Sequence, residues 1–260
     1  MPRMERGTYD QDLLALLRNA RHIVALTGAG ISAESGIPTF RQAQTGLWAQ
    51  YNPNELATAQ AFRQNPRLVW EWYSWRRQIV SQAEPNPGHI ALAKLEELTL
   101  SREASFTLIT QNVDGLHQRA GNRSPIELHG NILRTKCFDE NTIIEFWQDA
   151  GDIPPHCPHC GGLLRPDVVW FGEELPHEAL RSAWEAAETC DLLFSVGTSS
   201  LVEPAASLPY VAIQFGAQVV EINPIETLLS PSANYVLRGP SGIVLPELLL
   251  AAFGRQLDET

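Results

Sequence analysis

The chain has 260 residues, 44% of them hydrophobic and 19% charged, a composition typical of a globular protein with one main core and a small second domain. Its 19 Lys and Arg against 30 Asp and Glu give a net charge of −11, which disfavours binding to nucleic acids and to anionic membranes. No apolar stretch approaches the ~20 residues that span a bilayer, and the N-terminus lacks an apolar signal-peptide core, so we expect a cytoplasmic protein.

Short apolar runs alternate with amphipathic helical patterns along most of the chain. The predicted strands are residues 22–27, 106–110, 191–196 and 218–222. The predicted helices include residues 10–20, 87–98 and 204–215. This alternation predicts an α/β fold, with a doubly wound, Rossmann-like parallel sheet that carries helices on both faces.

Two regions interrupt the alternation. Residues 40–85 are polar and rich in Trp and predict helices without strands, while residues 131–172 contain three of the four cysteines together with several Pro and Gly. We interpret both as insertions that form a smaller, helical and zinc-binding domain. The nucleotide-binding domain would consist of residues 1–39, 86–130 and 173–260, with its ligand at the carboxyl ends of the strands.

A glycine-rich turn follows the first predicted strand, in the segment TGAGISAESGIPTFR at residues 27–41. Gly28 and Gly30 would allow backbone amides to approach a pyrophosphate at a helix N-terminus. The spacing differs from the usual dinucleotide-binding pattern, because Gly36 comes six positions after Gly30. Taken alone, the two glycines therefore fit a strand-to-helix turn without a ligand as well as they fit a nucleotide site.

Six blocks of sequence, in order between about residue 12 and residue 253, resemble the sirtuins, which are NAD-dependent protein lysine deacylases. The blocks are GAGISAESGIPTFR, TQNVDGLHQRAG, ELHGN, CPHCGGLLRPDVVWFGE, GTSSLVEPA and EINP. The resemblance implies an enzyme that transfers the acyl group of a modified lysine, in a protein or peptide, to ADP-ribose. Its products would be free lysine, nicotinamide and O-acyl-ADP-ribose.

The resemblance also implies where the co-substrate NAD binds. The loop from Gly28 to Trp48 would cover it, with Phe40 and Arg41 near the nicotinamide, and Gln42, where relatives commonly have Gly, would stiffen this loop. Polar residues after the strand FTLIT would hold the nicotinamide ribose, and residues after later strands would meet the phosphates and the adenosine. The implied cofactor-binding residues are Gly28, Ala29, Gly30, Ile31, Ser32, Glu34, Pro38, Phe40, Arg41, Trp48, Gln111, Asn112, Val113, Asp114, Gly197, Thr198, Ser199, Asn223, Pro224, Ile225 and Ser241.

His129 is the implied catalytic residue, because it lies in the ELHGN block, and we expect the other histidines to be packed or solvated. In the implied reaction, the acyl oxygen attacks the ribose carbon that nicotinamide leaves, and a ribose hydroxyl must then lose its proton. Histidine suits that step, since it is the side chain whose unperturbed pKa lies closest to 7. Asn112 and Asp114 would orient the ribose and water.

Tyr73 and Arg76 lie three residues apart in the segment LVWEWYSWRRQIV, so they would share one face of a helix. Either this is a Trp-rich core helix with Arg76 in water, or the pair binds the acyl group. A guanidinium can form two hydrogen bonds with a terminal carboxylate, and the tyrosine hydroxyl can donate another. Tyr-x-x-Arg here resembles class III sirtuins, the desuccinylase and demalonylase subclass, so we expect removal of succinyl, malonyl and also acetyl groups.

Residues 168–173, VVWFGE, and residues 201–204 resemble the peptide-binding strands of the family. The implied substrate-binding residues here are Val169 and Phe171. Main-chain hydrogen bonds of an added strand supply affinity with little demand on the sequence of the bound peptide. We therefore expect weak sequence selectivity.

The cysteines of residues 131–172 predict a zinc site with an incomplete pattern. Cys157 and Cys160 have the spacing of a zinc knuckle, but the partner half begins with Cys137 and lacks the second cysteine of the family pattern. The candidate fourth ligands are Glu140, which occupies that place, His156 and His159. Three interpretations stay open: a structural zinc with a substituted ligand, a weakly or partly occupied site, and a lobe without metal.

Other functions fit parts of the sequence. Protein mono-ADP-ribosyl transfer would use the same NAD site and is the main alternative. A non-catalytic sensor of NAD or acyl-lysine is disfavoured by the intact 111–114 block together with His129. A hydride-transferring dehydrogenase would fit the fold but not the glycine spacing.

Overall fold

The buried apolar runs lie side by side in one parallel sheet. The computed structural model describes residues 9–38, 52–147 and 151–254. The strands of these residues are β1 (His22–Thr27), β2 (Ser105–Thr110), β3 (Ile126–Glu127), β4 (Gly130–Cys137), β5 (Leu164–Val168), β6 (Leu192–Val196), β7 (Gln218–Ile222) and β8 (Tyr235–Leu237). Six of them form the main sheet in the order β3-β2-β1-β6-β7-β8, with every neighbouring pair parallel.

Helices cover both faces of this sheet. They are α1 (Gln11–Asn19), α2 (Ala29–Ser32), α3 (Pro53–Leu56), α4 (Ala59–Gln64), α5 (Pro66–Gln82), α6 (Pro87–Leu100), α7 (Leu116–Ala120), α8 (His177–Thr189), α9 (Leu208–Gln214) and α10 (Ser241–Phe253), with short 3-10 helices at Ala33–Ser35 and Ala205–Ser207. Side chains of a strand alternate between faces. Thus Ile23 of β1 packs with α1, α6 and α10, and its neighbour Val24 packs with α8 and α9. The predicted doubly wound α/β fold is confirmed.

Local sequence accounts for where the main helices begin. The Asp10 side chain accepts a hydrogen bond from the Asp12 amide at the start of α1. Asn65 caps α5 and Asn86 caps α6, and each is followed by a proline, which is preorganised for the first helical position. The Asn65 cap fixes the beginning of α5, the helix that carries Tyr73 and Arg76.

A smaller lobe is built from parts of both interruptions. Strands β4 and β5 pair antiparallel, and α3, α4 and α5 pack on them. The shared hydrophobic cluster contains Phe62, Trp72 and Tyr73 from the helices and Ile132 and Trp170 from the strand region. Both interruptions of the α/β rhythm therefore contribute to a single core.

Four strands and one helix differ from the predicted elements. Strands β4 and β5 lie in the cysteine-containing region, for which no strand was predicted. Strands β3 and β8 are absent from the prediction, because two and three residues are too few to produce a periodic signal. The helix predicted at 204–215 is divided into a 3-10 turn and α9.

None of the described helices combines the length and the apolar character that crossing a membrane requires.

Candidate active site

Four parallel strands bring the predicted site residues to one edge of the sheet. Gly28 follows β1, Gln111 follows β2, His129 lies two residues after β3, and Gly197 follows β6. Since β3, β2, β1 and β6 are parallel neighbours in that order, their carboxyl ends meet at the same edge. Residues from four separate sequence blocks therefore lie together there.

The glycines after β1 and β6 pack directly against one another. The Gly28 amide donates to the carbonyl oxygen of Val196 at 3.0 Å, and the Gly30 amide donates to that of Gly197 at 2.9 Å. A Cβ on Gly30 would lie 2.7 Å from Gly197 Cα, and Gly197 has a φ of +61°, in the region that favours glycine. Both amides are thus used within the protein, and the glycines allow two loops to touch. The predicted contact of Gly28 and Gly30 with NAD stays a prediction.

Ser32, Asn112 and Asp114 form a buried hydrogen-bond network behind this edge. Ser32 Oγ donates to Asp114 Oδ2 at 2.7 Å and accepts from Asn112 Nδ2 at 3.0 Å. Asn112 Nδ2 also donates to the carbonyl oxygen of Gly28 at 3.1 Å. The other carboxylate oxygen of Asp114 accepts from the Leu116 amide, and burial raises the pKa of this carboxyl. The network holds the polar side chains after β2 in fixed positions relative to β1.

Two buried histidines, His89 and His117, lie beside this network, and His89 is hydrogen-bonded to it. His89 Nδ1 accepts from the Asn86 amide at 3.3 Å, so the ring hydrogen is on Nε2, which donates to Ser32 Oγ at 3.3 Å. The ring of His117 lies 4.9 Å from that of His89, and its Nε2 is 2.9 Å from Thr27 Oγ1. Burial lowers the pKa of His89 to about 4 and that of His117 to about 3, so both rings are neutral at pH 7. The sequence assigned neither histidine a role.

His129 lies at this edge of the sheet, next to the loop that follows β2. Its Nδ1 is 2.8 Å from the carbonyl oxygen of Gln111. A carbonyl only accepts hydrogen bonds, so the ring hydrogen is on Nδ1 and the lone pair is on Nε2. Burial lowers the pKa of His129 below 6.5, and the bond to Gln111 opposes that shift. Gly130 follows with a φ of +80°, and a Cβ there would lie 2.3 Å from the Asp167 carbonyl oxygen, so this position requires glycine.

The ends of β6 and β7 carry the residues predicted to meet phosphate and adenosine. Asn223 Nδ2 donates to the carbonyl oxygen of Thr198 at 2.7 Å, which joins the two loops. Thr198 Oγ1 is 2.9 Å from Ser195 Oγ. Ser199 is partly exposed, and Pro224 and Ile225 are exposed beyond Asn223. These loops therefore lie at the same edge as Gly28 and Gln111.

Other predicted cofactor residues are spread more widely. The Glu34 carboxylate accepts from the Gly242 amide at 2.8 Å, in the first turn of α10 and next to buried Ser241. Ile31 is fully buried, whereas Ala29 and Pro38 are exposed and Val113 packs on the core of the smaller lobe. Phe40, Arg41 and Trp48, together with Gln42, lie outside the described residues.

Tyr73 and Arg76 lie on α5, within one turn of each other. Tyr73 is 2% exposed and its hydroxyl accepts a hydrogen bond from Trp170 Nε1 at 2.9 Å. The Arg76 guanidinium lies 5.1 Å from the centroid of the Trp72 ring, and burial lowers its pKa. Burial also raises the pKa of Tyr73 to about 12, so its hydroxyl keeps its hydrogen at pH 7. The interpretation that Arg76 points freely into water does not fit this burial.

The predicted peptide-binding segment runs past both His129 and Tyr73. The Val169 amide donates to the carbonyl oxygen of His129 at 2.9 Å, and the Phe171 amide donates to that of Ala57 at 3.0 Å. The Phe171 side chain is 52% exposed. These two amides are already used within the protein, so an added peptide strand would have to use other main-chain groups of the segment.

Four side chains of the smaller lobe form a candidate metal centre: Cys137, Glu140, Cys157 and Cys160. Their potential ligand atoms lie within 4.8 Å of one another. The amide of Glu140 donates to Cys137 Sγ and that of Gly162 to Cys160 Sγ, both at 3.4 Å. Neither His156 nor His159 belongs to this cluster, and His156 Nδ1 bonds to the Gly161 carbonyl at 2.8 Å. Of the three candidate fourth ligands, the described residues bring Glu140 to the cysteines.

Comparison with known proteins gives consistent matches over most of the chain. A family model described as the Sir2 family matches residues 28–204. NAD-dependent protein deacylase 2 of Pyrobaculum aerophilum is 52% identical over 234 residues, which cover 90% of this chain and 92% of the relative. NAD-dependent protein deacylase 1 of Pseudomonas aeruginosa is 50% identical over 252 residues, with coverage of 93% and 98%.

Solved structures agree with the sequence matches. A structure described as a Sir2 homolog–NAD complex has a TM-score of 0.86 and 47% identity, and the match covers 98% of this chain and 97% of that one. A structure described as Sir2–p53 peptide–NAD+ has a TM-score of 0.80 and 33% identity, with coverage of 93% and 97%. The family predicted from the six sequence blocks is confirmed. The chain belongs to the Sir2 family, the sirtuins.

Proposed function

We propose that the protein is an NAD-dependent protein lysine deacylase that releases nicotinamide and forms O-acyl-ADP-ribose. Relatives that match at about half identity over most of the chain are named NAD-dependent protein deacylases. The observation that carries the proposal is the orientation of His129, whose ring is held by the Gln111 carbonyl at the shared edge of four strands. Acylated lysines of proteins or peptides are the proposed substrates.

We assign His129 Nε2 as the base that removes a proton from a ribose hydroxyl. Its lone pair follows from the hydrogen bond of Nδ1 to a carbonyl, and its lowered pKa keeps the ring neutral and ready to accept at pH 7. NAD supplies the labile bond between nicotinamide and ribose. Asn112 and Asp114, fixed through Ser32, orient the ribose and water beside this base.

We further propose a preference for acyl groups that end in a carboxylate, succinyl and malonyl above all, with acetyl also removed. Arg76 can bind the carboxylate with two hydrogen bonds, and the protonated Tyr73 hydroxyl can donate one more. The half-buried guanidinium of Arg76 is stabilised by an anionic partner and destabilised by a purely apolar one. This supports the assignment to class III, with Tyr73 and Arg76 as the acyl-binding pair.

The smaller lobe fits a structural zinc ion held by Cys137, Cys157, Cys160 and Glu140. Thiolates and a carboxylate are accepted zinc ligands, and the two amides that donate to sulfur favour thiolates. Because a base is already present at His129, the metal would stabilise the lobe and leave the reaction to the sheet edge.

The division into a nucleotide-binding domain and two insertions, 40–85 and 131–172, remains our proposal, as do the cytoplasmic location and the absence of nucleic-acid or membrane partners. The net charge of −11 supports the last point. None of the four cysteines, all of which lie in the described residues, forms a disulfide, which suits a reducing compartment.

Turnover on one peptide sequence carrying acetyl-, malonyl-, succinyl- or glutaryl-lysine, with and without NAD, tests the proposal. We expect nicotinamide release only with an acylated peptide, and a higher kcat/KM for the carboxylate-ending groups. Transfer of labelled ADP-ribose to protein without acylated peptide would instead support mono-ADP-ribosyl transfer. Absence of turnover on every peptide would refute the deacylase assignment.

A further inference from the structure

We infer that Trp170 is a positioning residue for acyl selectivity, acting through the hydrogen bond from its indole nitrogen to the Tyr73 hydroxyl. The inference rests on the proposed function, because it adds a partner to the acyl pocket assigned there. Trp170 Nε1 and Tyr73 Oη lie 2.9 Å apart although the residues are 97 positions apart in sequence. Trp170 is 1% exposed and Tyr73 2% exposed, so water does not compete for this bond.

The chemistry of the two groups fixes the direction of the bond. An indole nitrogen only donates, whereas a phenol hydroxyl both donates and accepts. Tyr73 Oη must therefore be the acceptor from Trp170, and its own hydrogen has to point elsewhere. The tyrosine thus becomes a hydrogen-bond donor for a third group. A carboxylate only accepts, so it is the natural third group, while an acetyl methyl can use no such donor.

The position of Arg76 indicates the side on which that acceptor would bind. Arg76 is three residues after Tyr73 on α5, so the two side chains share a face of the helix. Its positive charge acts on the Tyr73 hydroxyl and lowers the pKa of that group, in opposition to the larger effect of burial. A carboxylate bound to the guanidinium would lie beside the hydroxyl hydrogen that Trp170 leaves available.

Trp170 is itself held from two directions. Its backbone amide donates to Glu173 Oε2 at 2.9 Å. Its ring lies under the Arg165 guanidinium, 3.3 Å from the ring centroid, and Arg165 forms two hydrogen bonds with Glu173 at 2.5 and 2.9 Å. The Arg165 side chain is 3% exposed and that of Glu173 26% exposed, and this partly buried ion pair restricts the orientation of the indole.

The same segment reaches the catalytic edge. The amide of Val169, directly before Trp170, donates to the carbonyl oxygen of His129. One short segment therefore contacts both the proposed base and the tyrosine of the acyl pocket. This connection ties the position of the selectivity contact to the backbone of His129.

A double-mutant cycle on Trp170→Phe and Tyr73→Phe tests the inference. kcat/KM is measured for succinyl-lysine and acetyl-lysine in one peptide sequence, and the succinyl-to-acetyl ratio is compared among the four proteins. We expect Trp170→Phe to lower the ratio about 5- to 10-fold, near the worth of one hydrogen bond, mainly through the succinyl KM. In the Tyr73→Phe background the same substitution should change the ratio less than about twofold, because the hydroxyl is absent.

Trp184→Phe provides the matched control. Trp184 lies on α8 and packs against the face of the main sheet that α8 and α9 cover. Its replacement by Phe should therefore leave the succinyl-to-acetyl ratio unchanged. If the wild type prefers succinyl-lysine and Trp170→Phe keeps that preference, the inference fails while the proposed function stands. If Trp170→Phe changed the succinyl-to-acetyl ratio equally with and without the Tyr73 hydroxyl, the inference would also be overturned. The effect would then come from the packing of the indole and not from its hydrogen bond. A wild type that turns over acyl-peptides without any succinyl preference would refute both the inference and the proposed acyl preference, and would leave the deacylase assignment standing.

A measurement without substitution of Trp170 guards against misfolding of that variant. The indole N–H resonance of Trp170 should shift, and its exchange with solvent should accelerate, when Tyr73 is replaced by Phe in the NAD-free protein. An unchanged resonance and exchange rate would show that the bond to the hydroxyl is not formed, and would overturn the inference.

Discussion

The edge of the main sheet at which we propose that NAD binds, called the NAD edge below, and the proposed acyl pocket of the smaller lobe are assembled in different ways. At the NAD edge, the site residues lie at or shortly after the ends of strands, and parallel neighbours bring Gly28, Gln111 and Gly197 together. In the acyl pocket, Tyr73 stands on a helix, and its hydrogen-bond partner Trp170 comes from a segment 97 residues further along the chain. The first arrangement depends on topology and the second on tertiary packing.

This difference indicates how one fold can keep its chemistry and vary its substrate. Residues fixed by strand ends change position only if the sheet changes. A helix packed on an aromatic cluster can exchange a few side chains without disturbing the sheet, because the clusters of the lobe and of the sheet are separate. Damage to the NAD edge should therefore abolish turnover on all acyl groups, whereas damage to the pocket should change only the preference.

Replacement of His129 should give the largest effect. We expect His129→Ala to lower kcat on every acyl-peptide by about 10²- to 10⁴-fold, the usual contribution of a general base. NAD binding, measured by calorimetry, should persist, because the substitution leaves the Ser32 network in place.

His177→Ala is the control, since that side chain is 87% exposed on the surface. A His129→Ala protein with near-normal kcat would remove this residue from the chemistry and undermine the distinction between the two regions.

Replacement of Arg76 should separate the acyl groups. We expect Arg76→Met to cost about 2–4 kcal/mol for succinyl-lysine, roughly 30- to 1000-fold in kcat/KM, as for one partner of a buried charge pair. Acetyl-lysine should lose far less.

Arg67→Met on the same helix is the matched control, because Arg67 is 68% exposed and paired with Glu71. An equal loss on both acyl groups would mean that Arg76 supports the lobe rather than the substrate.

The stability of the NAD edge should depend on pH through its buried histidines. The unfolded chain binds protons at His89 and His117 near pH 6.5, but the folded chain does so only near 4 and 3, so stability falls as the pH falls below 6.5. We expect a loss of about 2 kcal/mol between pH 6.5 and 5.5 from this pair, measured by chemical denaturation. The lowered pKa of His129 adds to it, and the raised pKa of Asp114 opposes it.

Spectra of histidine-labelled protein check the cause of this pH dependence. The ring resonances of His89 and His117 should keep their neutral positions down to pH 5. Titration of either buried ring near pH 6.5 would contradict the proposed neutral layer beneath Ser32.

The sequence predicted the NAD edge better than the smaller lobe, for a physical reason. Strands such as β1 and β6 are buried, mostly apolar runs, so their approximate bounds and the residues that follow them can be identified locally. The aromatic core of the smaller lobe, in contrast, joins Phe62 to Trp170, more than 100 positions apart, and nothing in the local pattern indicates this contact.

The buried histidines and Trp170 were missed for related reasons. His89 looks like any histidine early in a helix until Ser32 is placed beside it. Trp170 reads as one aromatic residue among apolar neighbours, although its restriction to donating is a chemical signal that a partner such as Tyr73 was needed. Spacing alone also left the fourth metal ligand open, because three candidates lay within reach of the same cysteines.

Substitution of Glu140 tests which side chains of the smaller lobe hold the proposed zinc ion. We expect its effect to be the smallest of the four predictions. A carboxylate is a harder ligand than a thiolate, so Glu140→Cys should slow the transfer of bound zinc to a colorimetric chelator, and Glu140→Gln should accelerate it. We expect each change to be about tenfold, the lower end of effects seen when groups supporting metal ligands are removed. Glu145→Gln, in the same segment but outside the cluster, is the control. If Glu140→Cys and Glu140→Gln release metal at the same rate as the wild type, the carboxylate does not bind the ion. The lobe would then be stabilised by its three cysteines and its aromatic core. Like the acyl pocket, it would depend mainly on tertiary packing.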